Sequence, residues 1–420
     1  MKIAYLNPGG SIGGAEMCLL DVLSSLRTTR PDAEPIVILG DDGPLRSEVE
    51  SLGIPCDVLP MPAGVARLGD AGAVGPARKL ALAARGAVSA AAAFGYARRL
   101  GRHLRSRRPD LIQTNGMKMH LLGAWAAPKG VAVVWHLHDY LASRPAMARL
   151  LRLAARPGIE AVAVSRSVAD DARTTLQDRI AIHTIYNRVD VDRFCPGAGD
   201  GPALDRAAGL EPAPMGTVRV GLVSTFATWK GHDVFLQAAS EVSANSPVRF
   251  YVVGGPIYKS TGSQLSMVDI KSRASALGLS NRVGFTGHRS DPAQVLQSLD
   301  VVVHASTRPE PYGRVIVEGM ACGRAVVAMS EGGAAELFRD GIDALGCPPR
   351  DPQSLALRLS RLIDDPELRH RLGLAAREAV LARFDRVGLA AEWSTIYDRA
   401  VPSTPDPGRP APPPARLVAH

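Results

Sequence analysis

Aromatic residues and cysteines are scarce in this chain of 420 residues. Phe, Trp and Tyr together make up 5% of it, and the five cysteines show no paired spacing: Cys18, Cys56, Cys195, Cys322 and Cys347. The cysteines therefore predict neither a zinc motif nor a disulfide framework. Long apolar runs are lacking too, because no stretch reaches the roughly 18 uncharged apolar residues of a transmembrane helix. With no signal peptide at the start, we expect a protein of the reducing cytoplasm.

The chain is long and apolar enough for two globular domains. Apolar residues make up 46% of it, and its length exceeds what one core usually holds. Helical segments, the first at residues 15–26, lie between most of the strands predicted in the first half, which are at residues 2–6, 35–39, 111–114, 131–136, 161–165 and 183–186. Strands that alternate with helices predict a parallel sheet with helices on both faces, so we predict the α/β class.

The alternation stops at a stretch rich in proline and glycine and then restarts. The strands predicted after it are at residues 218–224, 248–253, 283–285, 300–305 and 325–328. We therefore divide the chain into a first domain, a linker, a second domain, a last helix and a tail, at residues 1–192, 193–215, 216–385, 386–400 and 401–420. The tail contains seven prolines and predicts disorder.

Two glutamates eight positions apart, Glu310 and Glu318, give the strongest functional signal. A predicted strand precedes Glu310, prolines and a glycine end that strand, and a helical pattern begins at Arg314. This order places a loop carboxylate, the N–H groups of a helix start and a second carboxylate around one cleft. Helix starts bind phosphate, and carboxylates accept hydrogen bonds from sugar hydroxyls. The pattern predicts a nucleotide-sugar site, although the spacing alone is weak because most glutamates are solvated.

This segment resembles the Glu-x7-Glu signature of the retaining glycosyltransferases of family 4. The resemblance continues through residues 321–327 and 331–337 and spans, more weakly, most of residues 1–400. It implies the GT-B fold, which is two facing Rossmann-like domains with an interdomain cleft. It also implies a UDP- or GDP-sugar as donor substrate, no separate cofactor, and transfer to a hydroxyl with the anomeric configuration kept. In such an enzyme Glu310 contacts the donor sugar and Glu318 binds the ribose.

The resemblance extends to two glycine-containing loops. Gly14, in a Gly-rich turn between the first strand and helix, is expected to face the donor diphosphate across the cleft. Lys230 follows the first strand of the second domain, and a lysine there reaches a diphosphate as a point charge. Family members usually carry an arginine where this chain has Thr225. One expected cation is therefore missing, and Arg314 or Arg289 is a candidate to replace it.

The remaining predicted site residues come from the start of the predicted helix and from a strand end. Backbone amides around Gly313, Arg314 and Val315 are expected to hold the charge that develops on the departing phosphate. The family has a His-Asp pair at the end of the strand predicted at residues 131–136, and the histidine approaches the sugar. By this resemblance we assign His138 to the sugar site.

Two patterns raise the alternative of a metal enzyme. His136 and His138, two apart on a strand, point to one face, and a metal hydrolase could use such a pair with further ligands. None of the other histidines lies in a recognisable ligand motif. Asp190 and Asp192 match the D-x-D pattern of metal-dependent glycosyltransferases of another fold, but they resemble the segment that leaves the first domain in family 4. We therefore expect no required metal.

Positive charge is concentrated in one part of the chain. The net charge is +8, and residues 67–108 hold ten lysines and arginines against one acid, Asp70. A basic amphipathic helix can lie on an anionic membrane surface, although a solvated helix is the alternative. Membrane binding fits a lipid-linked acceptor. Nucleic-acid binding is not expected, because no recognition module accompanies the charge.

The sequence as a whole predicts a metal-independent, retaining hexosyltransferase that is cytoplasmic or peripheral on the inner membrane face. We expect Glu310, Lys230 and His138 to be its catalytic residues, and a glycan, a lipid-linked glycan or another cell-envelope saccharide to be its acceptor. Two alternatives remain open. One is a nucleotide-sugar epimerase of the same fold, and the other is a non-catalytic protein that binds membrane surfaces.

Overall fold

The structure is a computed structural model that describes residues 1–66, 79–256 and 264–401. Within these residues the chain forms two parallel β-sheets, of seven and six strands. The predicted α/β class is therefore confirmed. The predicted tail lies outside the described residues apart from Val401, and so do residues 67–78 of the basic segment.

The first sheet is built by the first half of the chain. Its strands are β1 (Lys2–Asn7), β2 (Glu34–Leu39), β3 (Cys56–Val58), β4 (Leu111–Asn115), β5 (Ala132–Leu137), β6 (Ile159–Ala163) and β7 (Ala181–Thr184). They lie in the order β3-β2-β1-β4-β5-β6-β7, and all pairs are parallel. The carboxyl ends of all seven strands therefore meet at one edge, which is where ligands bind in such sheets.

Helices cover both faces of the first sheet. They are α1 (Gly14–Thr29), α2 (Pro44–Ser51), α3 (Ala63–Ala66), α4 (Lys79–Arg107), α5 (Met117–Ala126), α6 (Pro145–Ala154) and α7 (Arg166–Leu176). The group from α3 to α7 packs on one face, and α1 and α2 pack on the other.

The second sheet has the order β10-β9-β8-β11-β12-β13, again with parallel pairs. Its strands are β8 (Val218–Val223), β9 (Val248–Val253), β10 (Val283–Gly287), β11 (Val301–His304), β12 (Ala325–Met329) and β13 (Leu345–Cys347). Its helices are α8 (Gly201–Ala207), α9 (His232–Glu241), α10 (Met267–Ala276), α11 (Pro292–Gln297), α12 (Arg314–Ala321), α13 (Pro352–Asp364) and α14 (Pro366–Arg383). One face packs against α9, α10 and α13, and the opposite face belongs to a core that continues into the first half.

The last helix, α15 (Leu389–Ala400), packs against the first sheet and not the second. Trp393 and Tyr397 are buried there beside β1 and β5. The Tyr397 hydroxyl donates to Oε1 of Gln113 at 2.6 Å and lies 3.1 Å from the Tyr5 hydroxyl. The chain thus returns to its first half after completing the second.

The structure differs from the prediction in three short elements. Strands β3 and β13 have three residues each, which is too short for a periodic pattern, and neither was predicted. Helix α8 lies inside the predicted linker, with Asp200 as its N-cap. The buried Asp205 carboxylate on α8 accepts hydrogen bonds from Arg219 and Tyr251, which fixes this part of the linker against the second sheet. The division into domains itself stays a prediction.

In the part of the chain that the structure describes, none of the helices combines the length and the apolar character needed to cross a membrane.

Candidate active site between the two sheets

Glu310 lies beyond the carboxyl end of β11, in the loop that leads to α12. Its side chain is 13% exposed. Lys230 comes from a second loop of the same sheet edge, after β8 and 80 positions earlier in the chain. The Nζ atom of Lys230 donates to both carboxylate oxygens of Glu310, each at 2.8 Å. The fold therefore joins two residues that the sequence predicts for one site.

Two further side chains contact the Glu310 carboxylate. The Ser306 hydroxyl donates to Oε2 at 2.7 Å, and Nε2 of His304 lies 3.5 Å from the same oxygen. Lys230, Ser306, His304 and Glu310 are called the Glu310 cluster below. Burial by itself would raise the pKa of Glu310, but the charge of Lys230 and the contact with His304 hold that pKa well below its ordinary value. Glu310 is therefore an ionised hydrogen-bond acceptor at neutral pH.

Gly231 explains how Lys230 reaches this position. Lys230 ends a short 3-10 turn, and Gly231 follows in the left-handed region with φ 76°. A Cβ atom on Gly231 would lie 1.8 Å from the carbonyl oxygen of Ala305, so only glycine fits between the two loops. The glycine of the Lys-Gly pair thus allows the loop after β8 to pack closely against the loop after β11.

The start of α12 lies close to the Glu310 cluster. Gly313 is its N-cap, has φ 97° and brings no side chain to bond the first-turn amides. The amides of Arg314 and Val315 have no acceptor within the helix, whereas the Ile316 amide donates to the Gly313 carbonyl oxygen at 2.9 Å. The helix dipole adds partial positive charge at the same point, so this helix start can bind an anion.

A second ion cluster joins the two halves of the chain. Arg314 donates from Nη1 to Oδ2 of Asp21 on α1 at 2.8 Å, and from Nε to Oε1 of Glu318 at 3.1 Å. Arg314, Asp21 and Glu318 are called the Arg314 cluster below. A Cβ atom on Gly14 would lie 4.0 Å from the Arg314 side chain, so the predicted Gly-rich loop faces α12. Burial raises the pKa of Asp21 above its ordinary value although Arg314 acts in the opposite direction.

His138 follows β5 at the edge of the first sheet and is half-buried. Its Nε2 atom is buried without a hydrogen-bond partner in the described structure. Burial, with a smaller effect of the Arg314 charge, lowers the pKa of His138 to about 3. The imidazole is therefore neutral at pH 7 and can exchange hydrogen bonds with a sugar hydroxyl.

His136 takes no part in such a site. It is buried, and its ring packs against Trp393 of α15 with ring centroids 4.7 Å apart. Within the described residues no group of three or more His, Cys, Asp or Glu side chains is arranged to hold a metal ion. In the part of the chain that the structure describes, the His136–His138 pair is therefore without the further ligands that the metal-enzyme alternative requires. The Asp190 carboxylate contacts Arg386 at 2.9 Å and caps the backbone that follows it, which is a structural role.

Thr225, at the position of the missing arginine, follows β8 with its hydroxyl buried and unpartnered in the described structure. Of the two cations proposed to replace that arginine, Arg314 is already engaged with Asp21 and Glu318. Arg289 lies exposed beyond β10.

Tyr140 connects the first half to the loop of Glu310. Its hydroxyl donates to the carbonyl oxygen of Glu310 at 3.2 Å and accepts from the Gly333 amide at 3.2 Å. Gly332, with φ 68°, leaves the space that this contact needs, because a Cβ there would lie 2.4 Å from the Tyr140 hydroxyl. Tyr140 was not predicted as a site residue, since a single tyrosine after a strand carries no motif.

Glu336, in the short turn that follows β12, makes a similar connection. Its carboxylate accepts hydrogen bonds from the amides of Arg166 at 3.0 Å and Ser167 at 2.7 Å, and from the Tyr186 hydroxyl. These amides belong to the first turn of α7. A carboxylate from the second half thus caps a helix of the first half, which positions the two sheets relative to each other.

Two protein-family models match the chain, one for each half. The model described as Glycosyltransferase Family 4 matches residues 12–193, and the model described as Glycosyl transferases group 1 matches residues 211–379. The chain belongs to glycosyltransferase family 4. This confirms the family that the sequence predicted.

Named relatives match part of the family-4 chain. The D-inositol 3-phosphate glycosyltransferase 2 of Catenulispora acidiphila is 33% identical over 230 residues, which cover 52% of this chain and 51% of the relative. The N-acetyl-alpha-D-glucosaminyl L-malate synthase of Bacillus anthracis is 25% identical over 297 residues, or 69% of this chain and 74% of the relative. The chain thus spans about half the length of the first of these relatives.

A solved structure resembles nearly the whole family-4 chain. HepE of Anabaena, crystallised in complex with UDP-glucose, is 26% identical, with a TM-score of 0.77 over 95% of this chain and 100% of HepE. The predicted GT-B fold is confirmed by this likeness. The HepE structure also shows that a protein of this fold and similarity binds a UDP-sugar.

Most residues predicted for the site lie in two places in the family-4 glycosyltransferase. Lys230 and Glu310 share the Glu310 cluster, whereas Glu318 and Gly14 lie beside Arg314. Their roles toward a donor stay predictions. The contacts of Asp21, Tyr140 and Glu336 were missed, and only Glu336 had a sequence signal, because it belongs to the Gly-Gly-Ala-Ala-Glu run of the family resemblance.

Proposed function

We propose that this protein transfers a sugar from a UDP-sugar to an acceptor hydroxyl with retention of the anomeric configuration. The observation that carries the proposal is the Lys230–Glu310 pair beside the uncapped start of α12 at the cleft. This arrangement offers cationic and amide donors for a diphosphate next to a carboxylate for a sugar. HepE, which has the same fold and binds UDP-glucose, supports UDP as the donor nucleotide.

The diphosphate is assigned to the start of α12. The amides of Arg314 and Val315 point along the helix dipole, and Gly313 keeps the approach free of a side chain. Lys230 supplies the charge, and because it contacts Glu310 it is already held in place before the donor binds. Gly14 lies on the opposite wall of the cleft. Thr225, at the position where family members carry an arginine, adds no positive charge beside Lys230.

In the reaction the bond from the anomeric carbon to the phosphate oxygen breaks, and a bond from that carbon to the acceptor oxygen forms on the same face. The acceptor proton passes to an oxygen of the departing diphosphate, so the products are a glycoside and UDP. Lys230 and the α12 amides stabilise the negative charge that develops on the diphosphate. No protein base is required for this balance.

Glu310 holds the donor sugar by accepting hydrogen bonds from its hydroxyls. Its lowered pKa keeps the carboxylate ionised, so it acts as an acceptor and not as a proton donor. Neutral His138 contributes a second polar contact to the sugar through its unpartnered Nε2. Glu318 is assigned to the ribose, with Arg314 holding one of its oxygens.

The acceptor is proposed to be a hydroxyl of a lipid-linked or other cell-envelope glycan. The names of two relatives contain D-inositol 3-phosphate and L-malate, which are small anionic hydroxyl compounds. Acceptor assays therefore need a small-molecule set and a lipid-linked set, each with the same donor.

The proposal is tested by a thermal-shift and calorimetric screen of UDP- and GDP-sugars, followed by product analysis. We expect stabilisation by UDP and by one UDP-sugar, and NMR of the product should show the anomeric configuration of the donor. A protein that binds neither nucleotide refutes the proposal. Release of an isomeric nucleotide sugar without acceptor identifies an epimerase, and activity that chelators abolish identifies a metal enzyme.

A further inference from the structure

Three adjacent helices of the first half carry arginines and exposed apolar side chains but no acid of their own. Helices α4, α5 and α6 cover one side of the first sheet, and their sequences contain no Asp or Glu at all. An ion pair lies at the end of α4, where Asp57 of β3 contacts His103 and Arg107. The chain as a whole is only moderately basic, with 49 Lys and Arg against 41 Asp and Glu. An excess of cations on three adjacent helices, without an acidic neighbour on the same helices, points to an anionic partner.

The outer side of α4 has a regular stripe. Phe94, Arg98, Arg102 and Arg105 are all exposed and recur at helical spacing, so they lie on one face. The opposite face of α4 is part of the protein core, because Tyr96, Leu100 and Leu104 are buried against the sheet. These buried side chains cannot contact a membrane, so only the outer stripe of α4 is available to a partner.

A groove runs between this stripe and the end of α5. It has a volume of about 1070 Å³ and is lined by Phe94, Trp125 and the arginines of the stripe, with Arg156 at its far side. Phe94 is 59% exposed and Trp125 is 47% exposed. At the floor α4 and α5 approach so closely that a Cβ on Gly101 would lie 2.9 Å from the Ala126 carbonyl oxygen.

Helix α6 extends the same surface. Leu153 is 74% exposed and lies three positions before Arg156, whose guanidinium donates to the Ala124 carbonyl oxygen of α5 at 2.7 Å. An aromatic pair and a leucine on one surface, surrounded by arginines, is typical of contact with the interface of a bilayer. Nucleic acid would complement the arginines but would leave the exposed leucine in water.

We propose that the outer face of α4, α5 and α6 docks on an anionic lipid bilayer, with Phe94, Trp125 and Leu153 entering the interface and the arginines contacting lipid phosphates. The surface is separate from the residues of the Glu310 and Arg314 clusters. Docking is therefore independent of donor binding, and it keeps the enzyme at the surface where lipid-linked acceptors are found.

The test uses the full chain and vesicles of phosphatidylcholine with or without phosphatidylglycerol. We expect binding in co-sedimentation only with the anionic lipid, weakened by salt. The variant R98Q/R102Q/R105Q should lose about 100-fold in partitioning, because each arginine near an anionic surface contributes about fivefold. A matched variant with the same charge loss on exposed arginines of the second half, R206Q/R361Q/R371Q, should change partitioning by less than about threefold.

Two further readouts keep the proposal falsifiable. Brominated lipids should quench part of the tryptophan fluorescence of the wild type, and less of it in Trp125→Ser. UDP affinity should be equal in wild type and all variants, which shows that the variants are folded. Equal partitioning of the two triple variants, equal binding to neutral vesicles, or binding to RNA but not to vesicles would each overturn the proposal.

Discussion

The cleft holds two ion clusters that differ in origin and in how well their charges are matched. All members of the Glu310 cluster come from the second half of the chain, whereas the Arg314 cluster takes Asp21 from the first half. The Glu310 carboxylate has three side-chain partners, and its pKa is lowered. The Asp21 carboxylate accepts its side-chain hydrogen bond from Arg314, and burial raises the pKa of Asp21.

The difference separates a permanent site from a conditional contact. A carboxylate with a lowered pKa is stabilised by its surroundings, so the Glu310 cluster persists whether or not the two halves meet. A carboxylate with a raised pKa is costly to bury, so the Asp21–Arg314 contact contributes less stability than the Glu310 cluster. Under the proposed function, the second half is prepared for the donor, and we expect the weaker contact with the first half to be the one that opens for substrate entry.

The largest effect is expected from Lys230→Ala. Loss of a charge-assisted hydrogen bond to the leaving diphosphate costs about 1.5–3 kcal/mol, so turnover should fall about 10- to 150-fold. The measurement is kcat with a saturating UDP-sugar. Lys129→Ala removes an exposed lysine of the first half and should leave kcat within about twofold. Wild-type turnover of the Lys230 variant would remove Lys230 from the proposed mechanism.

Neutral isosteres of the two carboxylates test the comparison directly. Glu310→Gln should lower the free energy of unfolding by about 2 kcal/mol, because it leaves the Lys230 ammonium without its counter-charge. Asp21→Asn should lower it by less than about 1 kcal/mol, because burial already destabilises that carboxylate and Arg314 keeps Glu318. Urea denaturation at pH 7.5 measures both values. Equal losses would mean that the clusters do not differ as described.

The pH dependence of these variants sharpens the same contrast. Since the folded pKa of Glu310 is lowered, its stabilising contribution is present above the ordinary glutamate pKa and disappears only as pH falls toward the folded value. Since the folded pKa of Asp21 is raised, its penalty grows as pH rises from the ordinary aspartate pKa toward the folded value and is constant above it. The difference between wild type and Asp21→Asn should therefore change at higher pH than the difference for Glu310→Gln. Unfolding curves between pH 2 and 7.5 measure both, and the reverse order would contradict the assignment.

The smallest effect is expected from Glu336→Gln, which weakens another contact between the halves. A neutral cap loses about 0.3–1 kcal/mol of interaction with the α7 helix start, so KM for the donor should rise about two- to fivefold with little change in kcat. Glu367→Gln is the matched control, because Glu367 lies in the first turn of α14 within the second half. An equal rise of KM in both variants would mean that the contact between the halves is not the cause.

Most of the fold could be predicted from the sequence, because long strands of β-branched residues carry a clear pattern. Strands such as β8, β9 and β11 were predicted to within about two residues at each end. The three-residue strands and helix α8 could not be predicted, since pairing with a neighbour and a buried Asp205–Arg219 contact hold them in place. Short elements depend on tertiary contacts that local residues do not specify.

The site was predictable only where a motif marks it. Lys230, Glu310 and Glu318 were predicted because the family resemblance covers them, and the structure places the first two in contact. Asp21 lies in an ordinary helix of the first half, and its partner Arg314 is 293 positions away, so no local pattern connects them. Contacts between the two halves depend on how the two sheets face each other. The sequence of a single segment does not predict that arrangement.

The position of α15 has a consequence for the order in which the protein is made. One apolar layer of the first sheet, which includes Tyr5 and Val134, is completed by Trp393 and Tyr397 near the end of the chain. Among the described residues, the core beneath α9, α10 and α13 contains residues from Val218 to Leu372 and none that follow them. During synthesis on the ribosome, this apolar layer of the first sheet therefore stays exposed until α15 has been made. A chain interrupted before α15 would expose the same layer to chaperones and proteases.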